Sequence, residues 1–245
     1  MKVLVIGDSC KDVFVYGKCE RLAPAAPVPV FVPLYSKENK GMAGNVNENL
    51  ISIGVNTNII TNQKDITKTR YVDEKTNHIV IRIDSNEEKI DRIKNMEKII
   101  FKNYDAIVIS DYNKGFLHEE DIAFISEQHP LVFMDTKKLL GEWAQNIDYI
   151  KINEEEYNKT KHLLEDAKWI DDKLIVTIGS RGCRYKDSIL PVQKVEIKDL
   201  TGAGDTFMAG LVCKYLETSN ILDSLIYANE CATQVVQQKG VNTIT

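Results

Sequence analysis

Cysteine is scarce and unpatterned in this chain: five residues, Cys10, Cys19, Cys183, Cys213 and Cys231, form no CxxC pair. An odd, scattered set argues against a disulfide framework or a zinc site and fits reduced thiols that serve packing. The histidines, His78, His118, His129 and His162, show no metal-ligand spacing. Long apolar runs are also missing. None approaches the roughly 20 residues that span a bilayer, and Val3-Leu4-Val5-Ile6 is shorter than a signal-peptide core. A cytoplasmic protein without membrane contact is expected. Positive charge is not in excess, since 31 Lys plus Arg face 36 Asp plus Glu for a net charge of −5. A general nucleic-acid binder needs a basic surface, so that partner is not expected. A small phosphorylated ligand stays open, because a few local cations can override the net field.

What is present is alternation. Short β-branched runs at 3–6, 57–61, 106–109, 131–134, 149–152 and 174–178 read as strands, the first of them buried. Helical patterns lie between them at 42–53, 88–102, 118–128 and 153–168, and two amphipathic helices close the chain. This order predicts an α/β architecture on a mostly parallel sheet. Two stretches fall outside it. Residues 13–16 and 28–34 flank a Pro-rich turn, and 70–72 and 79–83 flank a polar one. Both read as antiparallel hairpins forming a small lid, at about 12–34 and 69–84, that could cover a ligand, join two subunits or do both.

The sharpest local signal is Thr201-Gly202-Ala203-Gly204-Asp205-Thr206-Phe207, after an alternating Val192, Val195, Ile197 pattern that reads as a strand. Glycines at a helix N-terminus let backbone N–H groups approach an anion, and the helix dipole adds to the attraction. Asp205, in the first turn, can take a proton from a hydroxyl beside that anion. A bare GxGD would sooner be read as a capped helix start.

The full string resembles the signature of the ribokinase-like (PfkB) carbohydrate kinases, and further segments are similar to the heptose-7-phosphate kinase branch. Gly7-Asp8 through Asp12 and Tyr16-Gly17, then Arg21 to Val30, resemble its GDxxLDxYxxG and RISPEAPVPV segments. Gly41 to Asn49 is similar to GGAANVAxN, and Ile109 to Gly115 to LSDYxKG. Asp135-Thr136-Lys137 is similar to DPK, Asn153 to Glu156 to NxxE, 176–182 to VTxGxxG, and Tyr227-Ala228-Asn229 to FAN. The resemblance runs from residue 3 to about 244 and implies a three-layer α/β/α fold with a small antiparallel β lid, in a single shortened domain over 1–245.

It further implies Asp205 as catalytic base, with the N–H groups of Gly202, Ala203 and Gly204 stabilising the transferring phosphoryl group. Asp8, Asp12, Gly41, Asn45, Arg82, Asp111 and Lys114 are the implied sugar or sugar-phosphate contacts. Lys137, Asn153, Thr177, Gly179, Gly182, Thr201 and Asn229 are the implied ATP contacts. Asn153 and Glu156 would hold Mg²⁺ through water, as a hard cation that keeps its waters prefers, and a monovalent cation is a further candidate. The expected reaction moves the γ-phosphoryl group of MgATP to the anomeric hydroxyl of a heptose 7-phosphate, in a homodimer joined through the lid. Another sugar, sugar phosphate or nucleoside as acceptor, or a degenerate binding protein with a regulatory role, are the alternatives.

The departures are specific. Met42 stands at the second Gly of the GG pair and Gly44 at an Ala, and Thr136 and Lys138 replace the Pro and Gly of DPKG. After Gly54 the chain is too short for the usual strand–helix–strand excursion, and neither the customary final helix nor a nucleotidyltransferase half is expected.

Overall fold

Val3–Ile6 offers apolar side chains to both faces, so the strand that holds it needs cover on both. The computed structural model describes residues 1–87 and 90–244. There the run forms β1 (Lys2–Gly7), with Val3 and Val5 in one core and Leu4 and Ile6 in another. Next come β2 (Ser9–Leu22), β3 (Pro29–Met42), α1 (Ala43–Ser52), β4 (Asn56–Thr61), β5 (Ile66–Asp73) and β6 (Ile79–Ser85). The chain continues through β7 (Ala106–Asp111), α2 (Glu119–Gln128), β8 (Val132–Thr136), β9 (Tyr149–Asn153) and α3 (Glu154–Thr160). It ends with β10 (Leu174–Thr177), β11 (Cys183–Tyr185), β12 (Ser188–Leu190), α4 (Ala203–Thr218) and α5 (Ile221–Val235).

Among the described residues, eight strands form the main sheet in the order β12-β11-β10-β9-β8-β7-β1-β4. From β10 to β4 every pairing is parallel, and only β11 and β12 run antiparallel. Helices α1, α4 and α5 bury one face, where Val46, Leu211 and Leu225 meet Val3, Val108 and Phe133. On the other face Ile122 and Ile125 of α2 meet Leu4, Ile107 and Met134. These are the three layers expected. The carboxyl ends of β1, β7, β8, β9 and β10 therefore open on one edge, where parallel sheets bind ligands.

The expected hairpins are one structure. Strands β2/β3 and β5/β6 are antiparallel pairs, and a parallel β2/β5 pairing joins them into a four-stranded lid in the order β3-β2-β5-β6. The strands run well past the predicted bounds because the β3 end continues directly into α1. One face of β2 and β5, carrying Cys10, Asp12, Phe14, Ile66, Lys68 and Arg70, is buried against the main body.

Three sequence expectations change. The helix expected over 88–102 is two 3₁₀ turns, Met96–Lys98 and Phe101–Asn103, with residues 88 and 89 outside the described part. Ile93, Met96, Ile99 and Phe101 reach the same core without α-helical backbone, which imitates its periodicity. The helix expected over 153–168 stops at Thr160, whose hydroxyl accepts the N–H of Leu140, and continues as 3₁₀ turns. The 192–197 alternation forms no strand. Val192, Val195 and Ile197 instead line a cavity, which selects apolar side chains as a sheet face does.

Candidate active site

Gly202 has φ +85, a conformation glycine adopts without cost, and it turns the chain into α4. A Cβ there would stand 2.7 Å from Asn45 Nδ2, and one on Gly204 would stand 2.8 Å from Lys151 Nζ. The two glycines thus bring the helix N-terminus against an amide from α1 and an ammonium from β9. The N–H of Ala203 is bonded to Leu200 O at 3.3 Å, so it is partly engaged.

One turn in, Asp205 is buried. Asn45 Nδ2 donates to its Oδ2 at 2.9 Å, and the Tyr112 hydroxyl donates to its Oδ1 at 2.7 Å. Asn45 is oriented in turn by Asn49, whose Nδ2 donates to Asn45 Oδ1 at 3.1 Å. Burial pushes the Asp205 carboxyl up to about 6; the two donors and Lys151 pull it down, while Asp135 pushes it up. A carboxylate with that affinity is ionised at neutral pH and remains a better proton acceptor than an ordinary aspartate.

A cavity of about 680 Å³ lies beside this turn. Lys137, Asn153, Thr177, Gly179, Gly182 and Asn229 all line it, together with Gly202, Ala203 and Gly204. Thr201 is not among its lining residues; its N–H donates to Asp199 Oδ1 at 2.9 Å. Asn229 also braces the wall, donating to Leu190 O at 3.1 Å.

Asn153 and Glu156 meet, but as a capping box on α3: Asn153 Oδ1 accepts the Glu156 N–H, and Glu156 Oε2 accepts the Asn153 N–H. Glu156 is also ion-paired with Lys137. Both carboxylate oxygens are engaged, so the pair would reach a cation only through water if the cap is kept. Lys151, which sequence reasoning missed, is buried beside Gly204 with Nζ 2.7 Å from Asp135 Oδ2. A Lys in an apolar strand was its only signal. The other Asp135 oxygen is buried without a hydrogen-bond partner.

On the lid side, Asp12 is ion-paired with Arg70, whose guanidinium lies 5.1 Å from the Phe14 ring centroid. The missing side chain of Gly41 leaves room for Asp12, since a Cβ there would stand 2.2 Å from its Oδ2. Lys114 Nζ contacts Glu87 at 2.7 Å, and Lys68 approaches the same carboxylate at 3.8 Å. Arg82 pairs in register with Arg70 but is half-exposed and bound to Asp84 at 2.7 and 2.6 Å. Lys68 and Arg70 were also missed; the alternation of β5 carried the signal, because it places them on the buried face.

Two expected sugar contacts turn inward. Asp8 is fully buried and accepts the N–H groups of Tyr112 (2.7 Å), Lys114 (3.2 Å) and Phe116 (3.3 Å). Asp111 accepts from Thr136 Oγ1 at 2.6 Å, Lys138 Nζ at 3.0 Å and the Asn113 N–H at 3.0 Å. The loop after β7 engages Asp8, and that loop together with the end of β8 engages Asp111. Thr136 and Lys138, the departures from DPKG, supply two of those donors. Met42, the departure from GG, keeps a backbone that favours glycine (φ 58, ψ −133) while its side chain packs beside Cys10 and Ile66.

The family model described as pfkB family carbohydrate kinase matches residues 42–245. The chain belongs to that family. This pfkB sugar kinase, a phosphotransferase of a family that uses ATP, is 29% identical over 294 residues to "Bifunctional protein HldE" of Nitratiruptor sp., covering 100% of the chain and 63% of that protein. It is 30% identical over 298 residues to the protein of the same name from Helicobacter acinonychis, covering 98% and 63%. The chain thus spans just under two thirds of these relatives. Among solved structures, the nucleoside kinase of Methanocaldococcus jannaschii superposes with a TM-score of 0.71 at 18% identity, covering 99% of this chain and 94% of that one. The ribokinase of Thermotoga maritima superposes at 0.68 with 17% identity, covering 98% and 94%. The pfkB kinase therefore has the ribokinase-like fold expected from its motifs.

Proposed function

We propose that this sugar kinase phosphorylates the anomeric hydroxyl of a heptose 7-phosphate with MgATP as donor, giving the 1,7-bisphosphate and ADP. The observation that carries it is Asp205, a buried carboxylate with raised proton affinity at the N-terminus of α4, between the cavity and the lid. The cavity suits ATP, with its triphosphate directed to the 202–204 turn. Asp205 takes the proton of the anomeric hydroxyl as that oxygen bonds to the γ-phosphorus and the bond from phosphorus to the ADP oxygen breaks. Lys151 and the N-terminal N–H groups of α4 face the charge that gathers on the transferring group.

Asp135 Oδ1, which has no hydrogen-bond donor and only the Lys137 ammonium 3.7 Å away, and the Asn153–Glu156 pair, the latter through water, fit a hard oxygen-seeking cation. When bound there, Mg²⁺ would neutralise phosphate charge. Lys68, Arg70 and Lys114 face only two carboxylates, Asp12 and Glu87, and the cation in excess suits an acceptor already carrying a phosphate. The heptose itself is supported by the Arg21–Val30 and Ser110–Gly115 segments and by the HldE relatives. The unpaired cysteines suit the reducing cytoplasm.

The lid also supports a homodimer. Its outer face carries Val13, Val15, Tyr71, Ile81 and Ile83 in register, with Ile81 53% and Ile83 44% exposed. The activity test is release of ADP from MgATP with a panel of sugars and sugar phosphates. Heptose 7-phosphate is expected to give the highest kcat/KM, and Asp205→Asn to lower turnover about a thousandfold. A panel in which ATP binds but no acceptor yields ADP would overturn the reading.

A further inference from the structure

We infer that Tyr112 is a positioning residue for Asp205, holding the carboxylate in the orientation from which it accepts the sugar proton, and that buried Asp8 anchors Tyr112 for this task. The inference rests on Asp205 being the general base. Tyr112 is outside the motif that supplies the base, since it belongs to the loop after β7, 93 residues away in sequence.

The geometry forms a chain of fixed points. Asp8 accepts three N–H groups from one short loop, those of Tyr112, Lys114 and Phe116. The preceding residue, Asp111, is held by Thr136 and Lys138. The backbone on both sides of Tyr112 is therefore pinned before its hydroxyl reaches Asp205 Oδ1 at 2.7 Å. Asn45 holds the other oxygen at 2.9 Å from a different element. A carboxylate torsion is broad when unrestrained. Two donors on two oxygens, each fixed from behind, remove that freedom, and either donor alone leaves it.

The charged surroundings make the phenol more than a prop. Asp205 faces Asp135 on β8, Lys151 on β9, Lys137 beyond β8 and Cys10 on β2, with the neutral Asn45 on α1. Burial and Asp135 favour the protonated acid, whereas Lys151, Asn45 and Tyr112 favour the carboxylate. Burial and Asp205 itself push the phenol well above its ordinary range, so Tyr112 stays a donor wherever Asp205 acts. Losing that donor both frees the carboxylate and raises its proton affinity. The ring has a separate packing role, with Lys68 and Lys137 ammonium groups 5.7 and 5.2 Å from its centroid. Phenylalanine retains that role.

The test is the pH dependence of kcat/KM for the sugar acceptor in wild type and Tyr112→Phe, with the same substrates, so that substrate ionisations cancel. The acidic limb is expected to move up by about one pH unit, the size of one charge-assisted hydrogen bond. At pH 6 kcat/KM falls about fivefold, with a smaller loss at pH 8, and KM for ATP is unchanged. A 3,5-difluorotyrosine at position 112, a stronger donor of nearly the same shape, moves the limb down and keeps the proposal testable should the Phe variant not fold. A limb that stays in place in either folded variant, or a loss equal at every pH, would overturn the role of Tyr112. If Asp205→Asn keeps its turnover, the base assignment fails first. If Asp205→Asn is inactive and the Tyr112 limb does not move, only this inference fails.

Discussion

At the scale of single residues, the molecule concentrates cost where it concentrates chemistry. Asp205 binds its proton more tightly in the folded chain than in the unfolded one, because burial raises it from 3.8 to about 6. Between those values the native state holds more protons, so stability falls as pH rises through that window, by about 3 kcal/mol for this group. Urea unfolding at pH 4 and pH 7.5 should show Asp205→Asn gaining stability relative to wild type by most of that amount at the higher pH. Asp8, also raised, contributes equally to both proteins and cancels. Equal pH slopes for the two proteins would contradict the burial of an ionised base. The glycine turn and Asp205 stood out in the sequence as a contiguous string at a helix start. The inward hydrogen bonds of Asp8 and Asp111 did not, since an acid at a strand end serves a sugar or a loop equally well until its hydrogen-bond partners are known. Met42 was legible as a departure, but its glycine-like φ of 58 was not.

At the scale of elements, what the sequence shows best is burial with a regular period. The parallel strands, α1 and α2 follow their expected bounds closely because the central strands, covered on both faces, are continuous apolar runs and the helices repeat apolar residues every three to four. The failures share a cause. Residues 93–101 and 192–197 repeat apolar side chains to fill a core and to line a cavity, and neither use requires regular backbone. The pairing of β2 with β5 links strands more than 40 residues apart, as in Cys10 opposite Ile66, and no local pattern encodes it. Packing of α4 on α5 depends on Gly210, where a Cβ would stand 2.9 Å from Cys231 Sγ and 3.2 Å from the Ala228 Cα. Gly210→Val should therefore lower the unfolding free energy by about 1–3 kcal/mol through overpacking, measured by urea denaturation. No loss of stability would mean that the helices separate freely at this point.

At the scale of the whole molecule, the lid has two faces with different uses. Its inner face buries Asp12, Lys68 and Arg70, and its outer face shows the isoleucines of β6 to solvent. Covering that outer face with a second copy would stiffen the inner one. Ile81→Glu is expected to convert a dimer to a monomer in light scattering while ATP binding persists, and an unchanged mass would remove the lid from the interface. The central claim, however, is catalytic. Its most direct measurement is phosphorus NMR of the wild-type chain and of Asp205→Asn, each incubated with MgATP and heptose 7-phosphate. The account predicts a new anomeric phosphate resonance and ADP from the wild type, and neither from the variant within the same time. An ATP signal left intact by the wild type, or equal product from the variant, would contradict it.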